Sequence, residues 1–531
     1  MKIGHFPARC ALAAFLAVIL LSGCTTPGDS AERDARAHFP VDPNGALFAD
    51  AFENIEEYYL EPVTPETVSL AGLKALGPAD GHFLVDSANG TITIRDGSTV
   101  LKQIPAPDPT DVDGWAAVVS TGMALARQHA PALAKLSDDQ LDQAVFTGVI
   151  SKLDRFTRYA PPKKANRQRD DRDGFGGIGI VLDDASKAIR VRSVIPDTPA
   201  FHAGMAEGDV IVAVDGKPVA PLDRDQIIDI LRGPEGSAVV VSVTRAGSAK
   251  PIELHMNRAL IVPPTVVAEK GTPGIAVLRI TEFNHDTGSS LKSMLASAIQ
   301  TTPGGLKGVV LDLRGNPGGL LDQAADVASI FVKQGEIIST KGRASASNQD
   351  FKAEADDYLT DLPMVVLVNG GSASASEVVA STLEDNGRAA IVGSSSYGKG
   401  TVQIVLSLEN DGEFTLTWAR LFPPGGYILH HHGVVPLFCT SLPDAGSAAH
   451  VIEAGQSRSG LWTKSRSLLS EEEWKTLRHA CPPATEDNPL DLPVAEHLIE
   501  DAAAYGQAIE AMRRISVPSA ASKTLADLPP P

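Results

Sequence analysis

Ser374 and Lys399 are the two residues of this chain whose types and spacing best suit chemistry. They stand 25 positions apart, in Gly371-Ser372-Ala373-Ser374-Ala375-Ser376-Glu377 and in Tyr397-Gly398-Lys399-Gly400-Thr401-Val402-Gln403. A serine hydroxyl is a weak nucleophile until a base takes its proton, and a lysine held neutral by burial can be that base. A free ammonium titrates near ~10.4, and burial can lower that by up to ~5 units. Such a pair performs acyl transfer without a His/Asp relay.

The elements that must position this pair are legible around it. Ser374-Ala375-Ser376-Glu377 reads as a capping box opening an apolar helical run through Val378, Val379 and Leu383. The Ser374 hydroxyl would then sit at a helix N-terminus, whose partial positive charge favours an oxyanion. Strand-like runs stand at 364–368, before the serines, and at 389–392, after the helix. A third, 308–313, runs into Arg314-Gly315-Asn316-Pro317-Gly318-Gly319, with an apolar helical stretch to Phe331 behind it. This alternation predicts a layered α/β domain whose loops at strand ends carry the site. If Lys399 to Gln403 begins a strand, the two residues share one face and the Gln403 amide can hydrogen-bond the lysine.

With these residues in view, the chain resembles the carboxyl-terminal processing (tail-specific) peptidases, serine peptidases with a Ser/Lys dyad on a crotonase-like core. The resemblance rests on 279–284 (Arg-Ile-Thr-Glu-Phe-Asn), 311–319, 369–377 and 387–403, in the family's order. It implies that Ser374 is the nucleophile, Lys399 the general base and Gln403 the residue orienting the lysine. It further implies an oxyanion hole of backbone N–H groups at Ala375 and in the Gly318-Gly319 turn, with either glycine eligible. No metal or cofactor is implied.

A second module precedes that core. Phe175-Gly176-Gly177-Ile178-Gly179-Ile180, the run 191–200, Gly208-Asp209-Val210-Ile211 and 214–219 together resemble a PDZ domain spanning roughly 173–258. PDZ domains add a peptide C-terminus as a strand while loop N–H groups receive its carboxylate. Here that loop would be Gly177, Ile178, Gly179 and Ile180. Upstream, 47–59 and 139–153 have helical apolar spacing, and 81–104 alternates like short strands around the hairpin signals Asn89-Gly90 and Asp96-Gly97. Relatives use such helices for caps or dimer contacts, which leaves a homodimer or an adaptor protein as partners. The charged stretch 163–173 reads as a solvated linker.

The first residues bear on location. Lys2 and Arg9 precede an apolar run, 10–21, of only 12 residues, which is too short to span a bilayer and reads as a signal-peptide core. Leu21-Ser22-Gly23-Cys24 resembles a bacterial lipobox, with Cys24 lipidated. The expected location is the periplasm, anchored by lipid, and by resemblance to enterobacterial lipoproteins the absence of an acid after Cys24 favours the outer membrane. Cys439 and Cys481 then remain in an oxidising compartment, where the two are expected to pair.

Lys plus Arg number 46 against 65 Asp plus Glu, a net charge of −19 with no long basic run, which argues against nucleic acid as a partner. Two look-alike motifs fail. Residues 393–400 nearly fit a phosphate-binding loop, but Gly400 stands where Ser or Thr must hold Mg²⁺. Ser289-Ser290-Leu291-Lys292 lacks the Ser-Asp-Asn and Lys-Thr-Gly that would accompany a penicillin-binding site and reads as helix surface. His430-His431-His432 has no acidic or Cys partner nearby and reads as an exposed strand or turn rather than a metal site.

The expected organisation is a leader at 1–24, a tether at 25–37 and an N-terminal helical region with a small β insertion at 38–172. The PDZ domain at 173–258, the Ser/Lys peptidase core at 259–444 and a partly disordered extension at 445–531 follow. The expected function is an envelope endopeptidase that takes protein C-terminal tails as substrate. The alternative from another class is a catalytically silent PDZ scaffold that binds such tails.

Overall fold

Continuous apolar runs without alternation belong to strands covered on both faces. Gly308–Asp312, Met364–Val368 and Ala390–Gly393 are accordingly buried at every position. They form the centre of a six-stranded sheet in the order Val266–Glu269, Ile275–Ile280, Gly308–Asp312, Met364–Val368, Ala390–Gly393, Phe438–Cys439. Its first pair is antiparallel and the rest are parallel. The computed structural model describes residues 43–183, 189–354, 361–458 and 465–515. The leader, Cys24, the 25–37 tether and the Pro-rich end lie outside the described residues.

One face of this sheet is covered by Leu321–Ser329 and Ala375–Asp385, the helices that follow the two site loops. The other face is covered by Ala448–Arg458, Asp491–Glu500 and Ala502–Ile515, through Val451, Val494, Leu498 and Met512. Among the described residues, the extension after residue 444 contains the helices Ala448–Arg458, Glu471–Ala480, Asp491–Glu500 and Ala502–Ile515, and three of them cover this face of the sheet. A disulfide joins Cys439, at the end of the last strand, to Cys481, just beyond the helix Glu471–Ala480.

A second, antiparallel sheet holds Gln349–Ala353, Gly335–Lys341, Glu413–Phe422 and Thr401–Ser407 in that order, with Thr401–Ser407 at its edge. Arg158–Ala160 also pairs with Glu413–Phe422 and links the N-terminal region to this sheet. That region packs Pro43–Tyr58, Val112–His129 and Asp138–Ile150 around Phe48, Trp115 and Phe146. The strands Phe83–Ala88, Thr91–Asp96 and Thr99–Pro105 form a meander on it. Asn89 and Gly90 take φ of 51° and 72°, the conformation a two-residue hairpin loop requires.

The PDZ-like unit has a four-stranded sheet containing Val210–Val214, Ala238–Thr244 and Ile252–Asn257, a separate pair Ile180–Leu182 and Val191–Val194, and the helix Arg224–Leu231. The stretch expected to be a solvated linker is the helix Pro162–Asp173. It buries only Ala165, so ion pairs hold it in place of an apolar stripe. Arg169 and Arg172 each reach Glu413 at 3.0 Å, and Arg167 reaches Asp225 at 2.8 Å.

Candidate active site

A cavity of about 510 Å³ brings together Ser374, Ala375, Lys399, Gln403, Gly318 and Gly319. Its walls also include Phe283, Leu321 and Leu421 and, from the charged helix, Gln168 and Arg172. The loop Gly177 to Ile180, expected to receive a peptide carboxylate, is not part of it and lines a separate groove of about 250 Å³ on the PDZ-like unit.

Ser374 precedes the helix Ala375–Asp385 with φ 56° and ψ −115°, a conformation that costs a non-glycine residue about 1–3 kcal/mol. The surroundings fix it from both sides. Ser374 N–H donates to Glu377 Oε2 at 2.8 Å, and Ser374 O accepts from Val378 N–H at 2.9 Å. One residue earlier, Ala373 N–H donates to Asn316 O at 3.0 Å, and Ser376 Oγ donates to the same oxygen at 2.8 Å. Asn316 thus ties the loop after Gly308–Asp312 to the serine turn.

The Lys399 loop is held as closely. Gly398 N–H donates to Glu377 Oε1 at 2.6 Å and Lys399 N–H to Glu377 Oε2 at 2.9 Å. Gly400 N–H donates to His430 Nδ1 at 3.3 Å, and Gly400 O accepts from Leu421 N–H at 2.9 Å. A Cβ on Gly400 would lie 2.0 Å from His430 N, so no other residue fits there. Burial pushes the carboxyl of fully buried Glu377 above its usual range, against the pull of its four donors, Ser396 Oγ among them.

The Lys399 ammonium is pushed down to about 8, first by burial and then by the Arg158 guanidinium, with Glu377 and Asp154 acting the other way. Its Nζ lies 5.3 Å from the centre of the Phe156 ring. An amine with this pKa is partly neutral near pH 7, as a general base must be.

Gln403 shares the cavity with Lys399, but not by alternation along one strand. The strand begins at Thr401, and a register shift between Val402 and Gln403 breaks the period of two. Gln403 Nε2 donates to Thr401 Oγ1 at 3.0 Å and to Thr417 Oγ1 at 3.1 Å. Thr417 Oγ1 in turn donates to Asp154 Oδ1 at 3.0 Å. With both amide hydrogens committed, Gln403 Oε1 is left as the acceptor.

Gly318 and Gly319 differ in what their N–H groups do. Gly318 N–H donates to Asn316 Oδ1 at 2.8 Å, whereas among the described residues nothing accepts from Gly319 N–H or from Ala375 N–H. Gly318 lies against Ser374, since a Cβ on it would stand 2.8 Å from Ser374 Cβ.

The histidine run is a turn, but it is not exposed as a whole. His430 and His432 are 2% and 7% exposed. His432 stacks on Trp474 at 4.5 Å, and His430 meets Phe156 edge-on at 5.9 Å. Among the described residues no cluster of His, Cys, Asp or Glu could hold a metal. The supporting contacts His430–Gly400, Thr417–Asp154 and Asn316–Ser376 could not be read from the sequence, because each joins residues distant in the chain.

The family model described as peptidase family S41 matches residues 274–438, and one described as a PDZ domain matches 190–245. A carboxy-terminal-processing protease of Bartonella bacilliformis is 38% identical over 301 residues, which cover 56% of this chain and 69% of that protein. The carboxy-terminal processing protease CtpA of Bacillus subtilis is 32% identical over 312 residues, 58% of this chain and 66% of that one. Among solved structures, a photosystem II D1 C-terminal processing protease matches 75% of this chain and 92% of its own at 24% identity, with a TM-score of 0.37. The chain is a serine peptidase with a PDZ domain and belongs to peptidase family S41.

Proposed function

We propose that this chain is an endopeptidase of the bacterial envelope that captures protein C-termini in its PDZ domain and cleaves by a Ser/Lys acyl-enzyme mechanism. The observation that carries the mechanism is a lysine with a pKa of about 8 sharing one cavity with a strained serine at a helix N-terminus. Lys399 Nζ takes the Ser374 proton as Oγ attacks the peptide carbonyl. The developing oxyanion is received by Ala375 N–H and Gly319 N–H, neither of which has an acceptor among the described residues. Gln403 Oε1 accepts from the Lys399 ammonium and keeps it aimed. The ammonium then protonates the leaving amine, and water, deprotonated by the same lysine, releases the acyl group. The similarity to carboxy-terminal processing proteases supports tails as substrates, and the lipobox-like Leu21 to Cys24 supports a lipid anchor in the periplasm.

The test is to incubate residues 25–531, wild type beside Ser374→Ala and Lys399→Ala, with an unfolded protein and to follow its mass. Fragments with wild type alone are expected. Equal fragmentation by Lys399→Ala would remove the lysine from the mechanism, and an inert wild type that binds tails would favour a silent scaffold.

A further inference from the structure

A second chamber, of about 590 Å³, adjoins the cavity that holds Ser374. Leu320, Leu321, Val402, Gln403 and Val405 line both, so a chain held at Ser374 can continue into it. Resting on the peptidase reading above, we infer that Trp418 makes this chamber select substrates with an aromatic side chain beyond the two residues that flank the cut.

Trp418 reaches the chamber through an irregularity of the ladder. Val402 pairs with Ala419 and Gln403 with Thr417, so Trp418 is the extra residue of a bulge in Glu413–Phe422. Bulges re-aim side chains and recur beside active sites. Trp418 is half-buried and lines the chamber, and among the described residues it joins none of the apolar cores. Its indole therefore offers ring surface to the chamber rather than to the fold.

The shape of the chamber suits an extended chain. Ile404 packs on the N-terminal core yet borders the chamber, which thus follows the open edge of Thr401–Ser407 as well as its face. An edge strand offers unpaired N–H and C=O groups to a chain laid along it. Alternate side chains of such a chain, about 6.6 Å apart, face the same way. The end of the chamber towards the helix Pro162–Asp173 is charged, but its charges pair with one another, Arg169 and Arg172 with Glu413 and Arg172 also with Asp173. Discrimination falls to the rings of Phe351 and Trp418, with Leu320 and Leu321 beside them. A ring placed there gains ring–ring contact that an aliphatic side chain lacks, on the order of fivefold in binding. Ser374, Ala375 and Lys399 do not border the chamber, which sets its occupant away from the bond that breaks.

The experiment digests a mixture of denatured proteins with residues 25–531 and maps every cut by mass spectrometry. Wild type should show one position, outside the two residues flanking the cut, at which Phe, Tyr and Trp are enriched about fivefold over Leu and Ile. Trp418→Ala should level that position, and Trp418→Phe should keep it. Two peptides differing only by Phe or Leu at that position then give a ratio of kcat/KM that does not depend on how much of a variant is folded. The ratio should fall about fivefold in Trp418→Ala. A wild-type profile with no such position, or the same profile and ratio in Trp418→Ala, would overturn the inference and leave the peptidase reading standing. If wild type makes no cuts at all, that reading falls and this selectivity with it.

Discussion

The main-chain N–H groups of Ser374 and Lys399 converge on one oxygen of Glu377, at 2.8 and 2.9 Å. Ser374 and Lys399 come from loops after different strands, and this shared acceptor fixes one against the other. The second oxygen of Glu377 accepts from Gly398 N–H and Ser396 Oγ, so the carboxylate meets donors only.

Glu377→Gln keeps the shape but turns an NH₂ toward two of those donors. Leaving buried donors unsatisfied costs about 1–3 kcal/mol each. We expect a stability loss of at least about 2 kcal/mol in urea denaturation, with kcat falling more than KM rises. Wild-type stability together with wild-type kcat would show that the clamp does not set the geometry.

The Lys399 pKa of about 8 predicts the pH profile. In the proposed mechanism the free enzyme is active when the amine is neutral, so kcat/KM should rise with pH and level off above about 8. Arg158→Met removes a neighbouring positive charge, which should raise the Lys399 pKa and move the midpoint upward, whatever happens to the plateau. The stability sign follows separately. The folded-state pKa lies below the unfolded ~10.4, so the unfolded chain binds more protons between about 8 and 10.4, and this group's contribution makes stability rise with pH there. A midpoint unmoved in Arg158→Met would assign the ionisation to another group.

Much of this site can be read in the sequence because its determinants are local. The buried runs at 308–313 and 364–368 identify central strands, the Ser-x-x-Glu spacing finds the turn that Glu377 closes, and Asn89-Gly90 marks a hairpin. What could not be read depends on partners far along the chain. The helix Pro162–Asp173 has no apolar stripe, and its place is set by Glu413, some 240 residues on. The shift at Val402/Gln403 comes from pairing with Glu413–Phe422, which the alternation of Thr401 to Ser407 does not encode. The helices after residue 445 resemble ordinary surface helices until the sheet face they cover is seen.

His430 is the residue whose reading changes most, from part of an exposed strand or turn to a buried support of the Lys399 loop. Its Nδ1 accepts from Gly400 N–H, so the ring proton is on Nε2, which has no partner among the described residues. Its pKa is pushed down to about 3, by burial first and then by His431, Arg420 and Arg155, so the ring should be neutral throughout the working range. His430→Asn retains an oxygen that can accept from Gly400 N–H, whereas His430→Leu leaves that N–H bare beside Lys399. A misplacement of about 1 Å at such a group can cost up to 10²-fold in rate. We therefore expect kcat to fall about tenfold or more in His430→Leu, with much of it regained in His430→Asn and KM little changed in either. By NMR, the His430 ring should show no titration between pH 5 and 8. Titration near 6.5 would place water on the ring, and equal activity of the Leu and Asn variants would show that this hydrogen bond does not hold the lysine loop.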